Sequence, residues 1–217
     1  PDSLSLVADQ VHLWRFRLDL STSEVVSLQS CLSSDETVRA ERLVIPEKKQ
    51  QFVVARATLR DILSRYLGKQ PVSIRFRYGQ YGKPSLPDTY DLRFNLAHSA
   101  DLAVLAVTRT GDVGVDIERV EDSLDYLKLA ERFFTAQELE VLKNTFEPRC
   151  RRTFYRLWTQ KESLLKKSGS GFFAANNIQP ICSTVQCRSL PVSRNYLAAL
   201  ACSLEITSVK RYQYTEK

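Results

Sequence analysis

The sequence predicts an α+β fold built as two similar halves, each a small antiparallel sheet with a long helix. Three observations predict it. Apolar residues recur at helical spacing in two long stretches, 48–67 and about 148–167. Short strand-like runs follow each stretch. Gly111–Asp112 is a turn signal near residue 110, after which helices and strands begin again. The elements are grouped by kind instead of alternating strand and helix, which excludes a parallel βαβ sheet. The halves are set at 1–110 and 111–217, although their sequences are too dissimilar to demonstrate a repeat.

Residues 11–18, VHLWRFRL, alternate apolar and polar as a half-buried strand does. Ser34 and Asp35 open a helical stretch that reaches a break at Pro46. In 48–67, Phe52, Ala55, Leu59, Ile62, Leu63 and Tyr66 fall on one helical stripe, and Gly68 stops the helix. Val72–Phe76, Leu92–Leu96 and Leu102–Thr108 read as strands, and Val113–Glu118 as one more after the turn. Helical periodicity returns at about 123–133 and 135–143. The long helix of 148–167 carries Pro148 in its first turn and ends at Gly169 and Gly171. Strand-like runs at 183–188, 196–204 and 206–213 complete the chain.

The chain has 217 residues, 43% hydrophobic and 26% charged, enough to bury a core without cross-links. A net charge of +6 suits an acidic partner or a phosphorylated cofactor without choosing between them. Cys31, Cys150, Cys182, Cys187 and Cys202 are odd in number and match no tight zinc spacing, so reduced thiols are expected. No run approaches 18 apolar residues, and the first ten lack a signal-peptide pattern. The expected location is therefore the cytoplasm, with no membrane contact.

Asp116 and Glu118, in Val113-Gly114-Val115-Asp116-Ile117-Glu118, point to one face of a strand while Val115 and Ile117 point to the other. Two carboxylates side by side repel unless a cation joins them, and a hard divalent ion with oxygen ligands does so. Alone, the pair also fits a solvated strand face. On the long helix, Tyr155, Trp158, Glu162, Leu165 and Lys166 share one stripe. Glu162, flanked by Trp158 and Leu165, is partly removed from water and needs a metal or a cationic partner. A simple i,i+4 pair with Lys166 is the alternative.

GVDIE at 114–118 and FYRLWTQKESLLKKSGSG at 154–171 resemble the motifs of the Sfp-type 4′-phosphopantetheinyl transferases. Gly82-Lys83-Pro84, Phe94-Asn95-Leu96-Ala97-His98-Ser99 and Phe133-Phe134-Thr135-Ala136-Gln137-Glu138 resemble further motifs of that family, in the same order. The resemblance implies a monomer of two α+β halves with coenzyme A in the cleft between them. It implies Mg²⁺ on Asp116, Glu118 and Glu162, with Mn²⁺ able to substitute, and Lys166 at the reacting centre. For coenzyme A it implies His98 at the 3′-phosphate, Arg56 and Arg39 near the nucleotide end, and Lys83 and Pro84 along the adenine. Ala97 stands where the family commonly has Ser, so a hydroxyl contact is missing and a modest loss of affinity is expected.

The implied reaction is attack by a serine of an apo acyl or peptidyl carrier protein on the β-phosphate of coenzyme A. It leaves holo carrier and 3′,5′-ADP, in fatty-acid, polyketide or nonribosomal peptide synthesis. Glu162 and a metal-bound water are both candidates for the base. A metal-dependent phosphoesterase or nuclease, and a non-catalytic coenzyme A- or carrier-binding module, are the rival readings. The ordered motifs speak against a nucleic-acid partner, and the retained acidic residues and Lys166 against the module. Trp158 is expected to be packing, and Arg149, Arg151, Arg152 and Arg156 to be a solvated face or a carrier contact.

Overall fold

A computed structural model of the chain describes residues 4–169 and 184–215. The first strand, β1 (Gln10–Arg17), lies where its alternation predicts, but it is not an edge strand. It is joined by β4 (Arg93–Ser99), β5 (Leu102–Thr108) and β9 (Ser208–Gln213) in a sheet of order β4-β5-β1-β9. β5 runs antiparallel to both its neighbours, whereas β9 runs parallel to β1 with Val11 opposite Val209. The N-terminal sheet is therefore mixed, and its last strand comes from the far end of the chain.

α1 (Thr22–Gln29), which apolar periodicity does not reveal, is closed by a capping box between Ser21 and Glu24. α2 (Ser34–Glu41) carries the same device at Ser33 and Glu36. The break before Pro46 is present, since α2 ends at Glu41 and residues 42–45 are not helical. Pro46 itself opens α3 (Pro46–Leu67), in the first-turn position where a missing N–H costs nothing. Gly68 ends α3 in the left-handed conformation, as expected. The strand expected at Val72–Phe76 does not form. Pro71–Ser73 is a 3₁₀ turn, and the strand pairing is displaced to a small hairpin, β2 (Arg77–Tyr78) and β3 (Pro84–Ser85). The cause is Arg60, whose guanidinium donates to the carbonyls of Pro71 and Ile74, each at 2.8 Å, so those acceptors serve a side chain instead of a ladder.

The second half holds β6 (Gly114–Arg119), β7 (Val185–Ser193) and β8 (Tyr196–Ser203) in an antiparallel sheet of order β6-β8-β7. α4 (Tyr126–Phe133) and α5 (Ala136–Lys143) precede α6 (Cys150–Ser168), which packs on β6 and β8. Pro148 lies before α6 and not in its first turn, since Arg149 is the N-cap. Gly169 ends α6 in the left-handed conformation. The proposed stop at Gly171, along with Cys182 and Ser183, falls outside the described residues.

All seven residues of β5 are buried, because both of its faces are covered. Ala103, Leu105 and Val107 face a core shared with Leu59, Ile62 and Leu63 of α3. Leu102, Val104 and Ala106 face a second core with Val115 and Ile117 of β6 and Leu200 of β8. One strand thus serves both halves. No helix among the described residues is long and apolar enough to cross a membrane.

Candidate active site

The two sheets meet along β4 and β6. These strands share no backbone ladder. Side chains join them instead: Val115 N donates to Asn95 Oδ1 at 2.8 Å, and Arg119 N donates to Ser99 Oγ at 3.1 Å. Ala97, between those two residues, is buried in the apolar cluster that holds Val115 and Ile117. On the other side of β6, α6 comes so close that a Cβ on Gly114 would lie 2.0 Å from Ser163 O. Only glycine permits that approach.

The close packing sets Lys166 against Asp116, with Nζ donating to Oδ1 at 2.6 Å. The i,i+4 pair of Glu162 with Lys166 is thereby replaced by a pair between helix and strand. Asp116 is 3% exposed, and its second oxygen, Oδ2, is buried with no hydrogen-bond partner. Burial raises the Asp116 pKa, and Lys166 opposes the rise. Glu118 accepts from Ser99 Oγ at 2.8 Å. Its pKa is raised to about 7 by burial and by the Asp116 charge, with Ser99 opposing. Glu162 is also raised to about 7, by burial and then by Asp116, with Lys166 opposing. Burial, and for the two glutamates the neighbouring Asp116 charge, thus favours the protonated form of all three carboxylates.

Among the described residues, no three acidic, imidazole or thiol side chains are gathered tightly enough to enclose a metal ion. The donor chemistry nonetheless fits a hard divalent cation: two glutamates that the Asp116 charge opposes, and Asp116 itself with an orphaned buried oxygen. Beside them lies a cavity of about 320 Å³, lined by Gly82, Lys83 and Pro84 of the hairpin, Asn95 and Leu96 of β4, and Glu162 and Lys166 of α6.

The remaining sequence candidates are placed differently. Lys83 Nζ donates to Lys166 O at 2.5 Å and lies 3.4 Å from Lys167 O and Val113 O. It closes the C-terminal end of α6 from across the cleft, where carbonyls and the helix dipole favour a cation. Burial lowers its pKa. His98 is exposed, and the protein around it together with Lys166 and Lys48 lowers its pKa. Arg56 is 8% exposed, ion-paired with Glu36 at 2.7 Å, and donates to Tyr78 Oη at 2.6 Å. Arg39 is exposed, over the Phe52 ring. Neither arginine lines the cavity.

Trp158 packs with Phe133, Phe134 and Phe154, as expected of a brace for α6. Of the basic cluster, Arg151 binds the carbonyls of Glu121 and Leu124, and Arg152 that of Arg194. Sequence reasoning assigned nothing to Asn95, Ser99, Lys161 or Glu138. Lys161 is 6% exposed and pairs at 3.0 Å with Glu138, which also closes the capping box of α5. Asn95 and Ser99 were visible by alternation, because they share a strand face with Ala97. Lys161 gave no such signal.

Two family models match the chain: 4′-phosphopantetheinyl transferase, N-terminal, over residues 19–110, and the 4′-phosphopantetheinyl transferase superfamily over residues 112–209. The chain is 41% identical over 182 residues to the 4′-phosphopantetheinyl transferase HetI of Nostoc, covering 82% of this chain and 77% of the relative. It is 39% identical to a putative 4′-phosphopantetheinyl transferase of Synechocystis, covering 69% and 61%. With the 4′-phosphopantetheinyl transferase Sfp of Bacillus subtilis the identity is 30%, covering 70% and 66%. The alignments thus span roughly three fifths to three quarters of these relatives.

Proposed function

The chain belongs to the 4′-phosphopantetheinyl transferase superfamily, and from that membership we propose that it transfers the 4′-phosphopantetheine group of coenzyme A to a serine of an apo carrier protein. The products are the holo carrier and 3′,5′-ADP. The observation that carries the assignment of the site is the buried Asp116, with one oxygen on Lys166 and the other unpartnered, beside two carboxylates raised to about 7. The relatives' names support neither the nuclease nor the non-catalytic module.

In this reading Asp116, Glu118 and Glu162 would hold Mg²⁺, or Mn²⁺ in its place, which would supply positive charge to the pyrophosphate in an in-line displacement. Lys166 presents a second cation to the same oxygens, held in position by Asp116. Glu162, which lines the cavity from α6, accepts the serine proton. Coenzyme A lies in the cavity along Lys83 and Pro84, and the family resemblance directs its 3′-phosphate toward His98 with Arg39 nearby, although neither residue lines that cavity. Arg56 serves that end by holding Tyr78, which pairs with Pro84 in the hairpin.

We place the boundary between the halves near residue 110, with nucleotide contacts in 1–110 and the carboxylates in 111–217, in a cytoplasmic monomer. The test is to incubate the protein with coenzyme A, Mg²⁺ and an apo carrier, and to weigh the carrier. A gain of one phosphopantetheine group is expected. No gain on several carriers, each modified by a control enzyme, overturns the reading.

A further inference from the structure

We propose that Ser99 is a positioning residue, whose hydroxyl fixes the Glu118 carboxylate for metal binding while its oxygen ties β6 to the N-terminal sheet. The inference rests on the reading of Glu118 as a metal ligand. A serine hydroxyl offers one proton and two lone pairs. Ser99 Oγ accepts from Arg119 N at 3.1 Å, so an oxygen lone pair is committed to the backbone of β6. Its proton is directed to Glu118 Oε2 at 2.8 Å, an acceptor one residue away on the same strand. The hydroxyl therefore has a fixed direction, and it engages one oxygen of Glu118, leaving Oε1 for a ligand.

The contact is precise because the strands are held in register at two points. Asn95 meets Val115 and Ser99 meets Arg119, so a separation of four residues on β4 matches four on β6. A side chain one atom shorter at position 99 would leave Glu118 with rotational freedom beside a buried, unpartnered Asp116 oxygen. Partners that orient a ligating carboxylate typically change metal affinity 10- to 100-fold when removed.

The test is direct binding of Mn²⁺ alone to the full chain, read from the free-ion paramagnetic resonance signal, together with the thermal midpoint of the metal-free protein. Ser99→Ala is expected to weaken Mn²⁺ binding by about 10-fold or more, and Ser99→Thr, which keeps the hydroxyl, to restore most of it. If Ser99→Ala does not fold, Ser99→Cys makes the same comparison, because a thiol is a weak donor of similar size. Mn²⁺ affinity equal to wild type in the alanine or cysteine variant overturns the proposal, even if the thermal midpoint falls. That pattern would mark Ser99 as a tie between strands only. A wild-type protein that binds no Mn²⁺ removes the underlying assignment of the carboxylates, a failure distinct from that of Ser99.

Discussion

Asp116 keeps a charge out of water because Lys166 neutralises it, and the arrangement leaves one oxygen without a partner. Glu162, which shares the site, has two separable consequences. As the base, its replacement by Gln should lower turnover by about 10²-fold or more while coenzyme A affinity, measured by calorimetry, changes little. Near-normal turnover would remove Glu162 from the proton transfer. In the metal-free protein, Glu118 and Glu162 titrate near 7 when folded against an ordinary 4.5, so the fold binds their protons more tightly. Their contribution to stability is complete below pH 4.5 and lost as pH rises through 7. Glu162→Gln should accordingly raise the thermal midpoint at pH 8 and leave it unchanged at pH 4.5.

His12 acts in the opposite sense. It is fully buried, takes the Tyr66 hydroxyl at Nδ1 at 2.8 Å, and has its pKa lowered to about 4 by burial and Lys210. It favours the fold above pH 6.5, and that contribution is lost as pH falls through 4, reaching about 3 kcal/mol. Denaturant titrations of wild type and His12→Asn across pH 6.5 to 4 should show the wild type losing stability more steeply. The carboxylates of the site were legible in the sequence, because strand alternation and a helical stripe place each side chain without knowledge of its neighbours. The partner of Lys166 was not legible: choosing Asp116 over Glu162 requires knowing which strand lies under the helix.

At the scale of elements, the approach of α6 to β6 decides the site. A methyl at Gly114 meets backbone at Ser163 O and Lys167 N, at 2.0 and 2.4 Å, and neither can rotate away. Gly114→Ala should destabilise the protein by about 2 kcal/mol or more, the cost of forced overpacking, visible as a lower thermal midpoint. It should also slow transfer, since α6 carries Glu162 and Lys166 with it. An unchanged midpoint would show that the helix is free to stand off. Long helices and capped ends were readable because periodicity and Gly68 or Gly169 are local signals. The strand misread at Val72–Phe76 has apolar residues of the right kind, but Arg60, on a different element, takes its backbone acceptors. α1 escaped notice because eight residues with one buried side chain, Leu28, leave no stripe to see.

For the molecule as a whole, the two halves are bound by more than a cleft. β5 contributes one face to each core, and β9 returns from the end of the chain to pair with β1. Trp14 stacks on Tyr212 of β9 at 4.6 Å and donates to Tyr66 of α3. A fragment of residues 1–110 lacks β9 and leaves Leu102, Val104 and Ala106 without cover, so it should show no cooperative unfolding by calorimetry. Cooperative unfolding of that fragment would make the halves independent domains. The α+β class and the turn at Gly111 followed from local pattern. The return of β9 did not, because a parallel pairing across some 200 residues leaves no mark in either strand's own sequence. If the carboxylates at this junction carry phosphopantetheine transfer, as proposed, Asp116→Ala is the decisive variant. Its transfer is followed as the gain in carrier mass over time, across a range of Mg²⁺ concentrations. No gain is expected at any Mg²⁺ concentration while the wild type modifies the carrier fully; transfer at the wild-type rate by the variant would remove Asp116 from the reaction.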